Sequence, residues 1–273
     1  MVCAGAGLSS CVVARRWARR AIHQMRYVHP WVSVPRVRAS GVVDGGPSRS
    51  YSCDMAVDPY TSPEFDSSAL ITIDTQRDVL DGQPLEIPGT SAVLPAIGRL
   101  AAGFRQAGRP IVHVVRIYLP DGSNVDLCRR QLVEDGTAIL PPGRHGSELA
   151  PGLAPDPDVR LDTDLLLAGA PQALAGNEVV IYKPRWGAFY DTPLQAHLRE
   201  RDVSTLVFCG CNFPNCPRTS IFEASERDFR IVLVRDAISG LYERGEQELH
   251  AIGVTLMETQ DVLDLLDLNR IVI

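Results

Sequence analysis

The chain has 273 residues, 45% of them hydrophobic, and a formal net charge of −6. That is enough for one large α/β domain or two small ones, and no run of 18 or more apolar residues is present to span a membrane. The charge is uneven: residues 1–54 carry eight arginines against Asp44 and Asp54, and the remainder holds 31 acids and 19 basic residues, which argues against nucleic acid or an anionic membrane as partner.

Residues 1–60 are rich in Arg, Ser and Gly and are expected to form a disordered N-terminal extension without function. Two readings of it stay open, a targeting segment or an over-extended start with Met55 as the initiator. The folded domain is expected over residues 61–273. Its first strand is the apolar run Ala69–Asp74, which ends on an acid. Ala92–Ala107 has helical spacing through Val93, Leu94, Ile97, Leu100 and Phe104, and Gly108 closes it. Pro110–Ile117 is a second strand. Residues 119–175 are irregular, Pro- and Gly-rich, and read as a long loop with short helices. Asn177–Lys183 is a third strand. Thr192–Arg201 reads as a helix capped by Thr192 with Pro193 at its first position. Thr205–Gly210 is a fourth strand, Cys216–Arg227 a helix, and Phe229–Arg235 a fifth strand. A helix near Glu246–Ile252, a short strand near Val254–Met257 and a helix from Asp261 complete the chain.

Continuous apolar strands separated by helices indicate a parallel sheet covered on both faces, a three-layer αβα, Rossmann-like α/β fold. Such sheets bind ligands outside the carboxyl ends of their strands. Neither G-x-G-x-x-G after the first strand nor a P-loop is present, so the fold does not imply a nucleotide cofactor.

Seven cysteines, an odd number without framework spacing, fit a reducing, cytoplasmic location. Cys209-x-Cys211-x4-Cys216 lacks a Cys-x2-Cys pair and a nearby His, so no metal is expected. Lys183 is the sole lysine, against 26 arginines. Where any cation would serve, this chain uses Arg. A retained Lys points to a need for a compact ammonium.

Asp74, Lys183 and Cys216 all fall at strand ends on one sheet edge, an acid, an amine and a thiol in a plausible nucleophilic site. Pro217 suits a first helical turn, which puts Cys216 at a helix N-terminus. There the dipole and free N–H groups are expected to lower the thiol pKa and to hold an oxyanion. A buried structural Cys is the competing reading. Asp74 equally suits an N-cap, and Gln76 and Asp78 read as supports.

Asp74-x-Gln76-x-Asp78 after the first strand, Lys183-Pro184 with Ala188-Phe189 after the third, and Gly210-x5-Cys216 after the fourth resemble the isochorismatase-like cysteine hydrolases, over about residues 66–262. The resemblance implies a six-stranded, mostly parallel sheet, an Asp74–Lys183–Cys216 triad and a homo-oligomer. The family includes amidases and ureidoacrylate and biuret hydrolases, so a small amide, urea or carbamoyl substrate is implied. Backbone N–H groups of Asn212 and Cys216 would hold the oxyanion. Phe213 stands where many relatives have Thr, and Arg116-Ile-Tyr118 stands where metal-binding nicotinamidases have Asp-x-His. Arg116 and Tyr118 are candidates for a substrate carboxylate, although Arg116 equally suits a surface ion pair. Trp186, Phe189 and Tyr190 either wall the pocket or simply pack. Two rival functions remain: vinyl-ether hydrolysis by Asp74 and Lys183 without the thiol, and a non-catalytic binding role.

Overall fold

The computed structural model describes residues 58–268. Most of the expected extension over residues 1–60 therefore lies outside the described residues. Seven strands form one sheet: β1 (Ser68–Ile73), β2 (Ile111–Val115), β3 (Gln172–Ala173), β4 (Glu178–Tyr182), β5 (Thr205–Gly210), β6 (Arg230–Ile238) and β7 (Thr255–Met257). Their spatial order is β3-β4-β2-β1-β5-β6-β7. All neighbours pair in parallel except β3 with β4. The six expected strands are present. The seventh, β3, is a two-residue antiparallel edge inside the segment read as loop, too short to show any periodicity in the sequence.

Seven α-helices accompany the sheet: α1 (Thr90–Gln106), α2 (Leu127–Glu134), α3 (Thr163–Leu167), α4 (Leu194–Arg199), α5 (Cys216–Ser225), α6 (Glu243–His250) and α7 (Thr259–Leu268). Alternate side chains of each strand feed two cores. Ile71, Ile73, Val112, Val114, Leu206 and Phe208 face α4, α5 and α6 through Leu194, Ile221 and Leu249. Leu70, Ile111, Val115, Val180 and Val207 face α1 and α7 through Ile97, Leu100, Phe104 and Val262. The α1 stripe is the one its spacing predicts. The sheet is thus buried on both faces, which is why its strands read as unbroken apolar runs. One polar cluster interrupts it: His113 bonds Thr72 Oγ1 at 2.8 Å and Glu178 Oε1 at 2.6 Å, and Glu178 takes Arg105 at 2.7 Å.

Several helix boundaries differ from expectation by one to three residues. α4 starts at Leu194, whose N–H donates to Thr192 Oγ1 at 3.4 Å while that hydroxyl donates to Ala188 O at 2.6 Å. α6 starts earlier, at Glu243, and α7 at Thr259, whose amide and hydroxyl both donate to Asp236 Oδ1 at 2.8 Å. Among the described residues no helix is long and apolar enough to cross a membrane.

The sheet order creates a switch point. β1 connects through α1 on one face, and β5 through α5 on the other, so the chain parts at the carboxyl ends of these two neighbours. A crevice opens at such a point.

Candidate active site

Asp74 is the first residue past β1. Its φ of +49° is left-handed, a region Asp tolerates better than most residues. The backbone there is held on three sides: its N–H donates to Val114 O at 2.9 Å, and its carbonyl accepts from Gln76 N at 2.9 Å and Cys211 Sγ at 3.1 Å. The carboxylate is buried. Lys183 continues the ladder past β4, its N–H donating to Val115 O at 3.0 Å. Its ammonium is buried, 3.0 Å from Asp74 Oδ2 and 3.2 Å from Arg185 O. The other oxygen, Asp74 Oδ1, is buried without a hydrogen-bond partner.

Cys216 is the first residue of α5, with Pro217 behind it. The loop that delivers it is tied to the sheet at Cys211, whose N–H donates to Ile73 O at 3.0 Å, and at Phe213, whose N–H donates to Ser239 O at 2.8 Å. Gly210, at φ +119°, runs so close to β1 that an added Cβ would lie 2.2 Å from Ile73 O. The substitution of Phe for Thr at 213 does not intrude on the cleft. Its ring turns into the core, edge-on to Tyr242 at 5.4 Å and against Gly245. Among the described residues no hydrogen bond engages the backbone N–H of Asn212 or of Cys216.

Cys216 is itself buried, and the thiol does not have the low pKa expected of its helix position. Burial, then the adjacent Asp74 carboxylate, push it up to about 12, and Lys183 only partly opposes them. The resting group is a neutral thiol beside a carboxylate that has one open oxygen.

Asp74, Cys211, Asn212 and Cys216 line a cleft of about 280 Å³, open space at its mouth included. Val79, Leu85, Ile87 and Leu140 supply the apolar part of its lining. Gln76 and Asp78 are supports, as expected. Gln76 donates to Arg116 O and Ser147 O and accepts from Arg116 N, pinning the end of β2. Asp78 accepts from Leu140 N at 2.7 Å.

Arg116 and Tyr118 lie past the end of β2, and Arg116 lines the cleft. Arg116 is not in a surface ion pair. It is buried, with Nη2 2.7 Å from Asp126 Oδ2 and its guanidinium over the Tyr118 ring at 4.8 Å. Tyr118 donates to the same Asp126 oxygen at 3.0 Å, and burial raises its hydroxyl to about 12. Asp126 and Arg129, which sequence reasoning missed, come from the long irregular segment. Arg129 sits on α2, lines the cleft and donates to the Tyr118 hydroxyl at 2.7 Å. The Asp126-x-x-Arg129 spacing at a helix start was the available signal.

The three aromatics after Lys183 separate. Trp186 lies under the Arg129 guanidinium at 5.3 Å, one step behind the cleft. Phe189 and Tyr190 do not line it. The chain there folds down onto α5, with Ala188 N–H on Ser220 Oγ and Phe189 N–H on Glu223 Oε2. This puts the Phe189 ring in the core beside Phe229 at 5.8 Å and leaves Tyr190 57% exposed. Arg218 points away as well, paired with Glu248 at 2.7 Å. Among the described residues no group of three or more His, Cys, Asp or Glu is placed to hold a metal ion.

Comparison with known proteins agrees with this architecture. Residues 68–261 match the isochorismatase domain family. A ureidoacrylate amidohydrolase, RutB, of Methylobacterium radiotolerans is 27% identical over 224 residues, covering 75% of this chain and 76% of its own. A probable inactive nicotinamidase of Arabidopsis thaliana is 26% identical over 195 residues, covering 70% and 88%. Among solved structures, an isochorismatase family protein from Desulfovibrio vulgaris is 32% identical, with a TM-score of 0.63, and the match covers 74% of this chain and 98% of that one. The match over most of the described residues, on a three-layer sheet with its cleft at the switch point, makes this chain a member of the isochorismatase domain family.

Proposed function

We propose that this protein hydrolyses a C–N bond of a small amide, urea or carbamoyl compound through a thioester on Cys216. The observation that carries the reading is the division of labour on one carboxylate: Asp74 Oδ2 is occupied by Lys183, and Oδ1 is buried and open beside a neutral thiol. A carboxylate with one free oxygen is a proton acceptor already in position. The amidohydrolase relative in the same family supports the bond type.

The steps follow from the groups present. Asp74 takes the Cys216 proton as the sulfur attacks the carbonyl carbon, so the thiolate forms only as it is consumed. The unengaged N–H groups of Asn212 and Cys216 receive the negative oxygen. The Lys183 ammonium, 3.0 Å from Asp74 Oδ2, offsets the charge that would otherwise build between Asp74 and the sulfur. The tetrahedral adduct collapses as Asp74 returns the proton to the leaving nitrogen, which departs as ammonia or an amine. Water then attacks the thioester, giving its proton to Asp74. Collapse of the second adduct frees the acid and restores the Cys216 thiol. Arg116 binds the rest of the substrate; Tyr118, expected to do so as well, does not line the cleft and instead packs its ring under the Arg116 guanidinium, with Trp186 behind that wall.

The test is ammonia release over a panel of small amides, ureas and N-carbamoyl compounds, with Cys216→Ala beside the wild type. At least one substrate should be turned over, and the variant should lose about a thousandfold or more in kcat. Full ammonia release by Cys216→Ala would show that the thiol is dispensable and sink the thioester reading, whereas vinyl-ether chemistry on Asp74 and Lys183 would leave the whole panel unturned by either protein.

A further inference from the structure

A second hollow, of about 220 Å³, shares no lining residue with the catalytic cleft. It is built from the stretch after β1 and from residues 145–160. Backbone bonds hold the two together: Gln76 pairs with Leu149 as an antiparallel bridge, Arg77 N–H donates to Glu148 O at 3.0 Å, and Ala150 N–H donates to Thr75 O at 3.0 Å. Pro151 and Pro157 stiffen the rest of the lining, so the hollow is preformed. Arg77, Arg160 and His145 line it against one carboxylate, Glu148. Even without His145 the set is net positive. Glu148 Oε2 accepts from the Leu161 amide at 3.0 Å. Among the described residues no carboxylate pairs with Arg77 or Arg160. Arg160 Nη1 donates only within its own loop, to Pro157 O and Val159 O. Arg77 is half-buried, and its Nε is buried without a partner. A guanidinium kept there forfeits hydration that nothing in the fold returns. The remaining lining is apolar, with Leu149, Ala150, Ala154 and Val159.

We propose that this hollow is a second binding site, for a small organic anion whose charged head lies on Arg77 and Arg160 and whose apolar body packs against Leu149, Ala154 and Val159. The planar guanidinium presents paired N–H donors that match the oxygens of a carboxylate or of a phosphoryl-type head. Size limits the body. The volume is below the usual range for ligand sites, about 300–1,000 Å³, and admits a chain of a few carbons. An inorganic ion would leave the apolar lining unused. The site does not depend on Cys216 and stands whether or not that thiol is a nucleophile. Its occupant braces residues 148–160 against the Thr75–Arg77 stretch, which runs between Asp74 and Val79 of the catalytic cleft.

Calorimetric titration of the full chain with butyrate, propylphosphonate, acetate and butanol tests this. At least one of the two longer anions should bind, and butanol should not. Butyrate should bind about tenfold tighter than acetate, the worth of two buried methylenes. The tighter of butyrate and propylphosphonate identifies the head as carboxylate or phosphoryl-type. Arg160 is exposed, so Arg160→Gln leaves the fold intact and should weaken either anion by about tenfold, the worth of one charged hydrogen bond. Ala154→Phe fills the hollow while keeping its charges and should abolish binding. Cys216→Ala should bind as the wild type does. Amide hydrogen exchange then locates the site: bound anion should slow exchange at Arg77 and Ala150 and leave Asn212 unchanged. Absence of binding by both longer anions, butanol binding as well as butyrate, or anion binding that survives both Arg160→Gln and Ala154→Phe would overturn the site. So would binding lost in Cys216→Ala, which would put the anion in the catalytic cleft. None of these outcomes bears on ammonia release, which tests the hydrolase reading separately.

Discussion

The Lys183 ammonium lies 3.0 Å from Asp74 Oδ2, and the two side chains are 0% and 8% exposed. This pair, with the Cys216 thiol beside it, has an energetic consequence that can be measured apart from catalysis. Removing one partner of a buried ion pair strands the other in a poorly solvated site.

Lys183→Met should therefore lower the free energy of unfolding by about 3–5 kcal/mol, measured by urea denaturation at neutral pH. Lys183→Arg should not rescue turnover, because a planar fork does not fit a site built for a compact ammonium that also donates to Arg185 O. A Lys183→Met protein as stable as wild type would show that Asp74 takes up a proton without penalty.

Cys216 alkylation should climb with pH well past neutrality, without the plateau of a low-pKa thiol. Its burial and the Asp74 charge hold the thiol near 12. Asp74→Asn removes the second of these causes and should shift the alkylation profile to lower pH, although burial keeps it above that of a free thiol. The same substitution should abolish turnover. Reactivity gained while activity is lost separates a base from a purely structural acid.

Stability should decline on the alkaline side. Cys209, Cys211 and Cys216 all have thiols pushed up by burial, so the folded state holds protons that the unfolded chain releases near pH 8.5. The stabilisation is complete below that pH and is lost as pH rises toward the folded values. The slope is about 1.4 kcal/mol per pH unit for each thiol that is ionised only when unfolded. Denaturation midpoints between pH 8 and 11 measure it, and Cys209→Ala should flatten the slope.

On the acid side Glu178 should matter. Burial works to raise its pKa, but hydrogen bonds from Arg105 and His113 prevail and hold it below the usual value. A lowered carboxylate stabilises the fold above the unfolded pKa, near 4.3, and that contribution disappears as pH falls below it. Glu178→Gln should lower stability at pH 7 and reduce its fall between pH 5 and 3. Parallel wild-type and variant acid-unfolding curves would refute the assignment.

Gly210→Ala should be among the most damaging single-methyl changes in the chain. The added Cβ would lie 2.2 Å from Ile73 O, in a φ region that L residues rarely adopt. Separating β1 from β5 there displaces both Asp74 and the loop leading to Cys216. A loss of about 3 kcal/mol or more in unfolding free energy is expected, with activity lost at temperatures where the fold survives.

Much of this molecule was legible in one dimension. The six parallel strands are buried on both faces, so their apolar runs stand out unaided, and the α1 stripe is a local period. Pro217 marked the start of α5, and with it the position of Cys216. The solitary lysine marked Lys183. Each of these signals depends on neighbours within a few residues or on composition.

Folding decided the rest. That Asp74 turns one oxygen to Lys183 and leaves the other open depends on β1 and β4 being placed by β2 between them. The thiol pKa follows from burial, a property of the whole packing, and it reverses what the helix N-terminus alone suggested. Phe189 belongs to the core because the chain after Lys183 folds back onto α5, which no spacing in that segment announces. Arg129 enters the cleft, and Asp126 stands behind it, from a stretch without periodicity. Short segments of that kind take their shape from contacts beyond the segment, here Arg129 over the Trp186 ring, and distance across a fold cannot be read from distance along a chain.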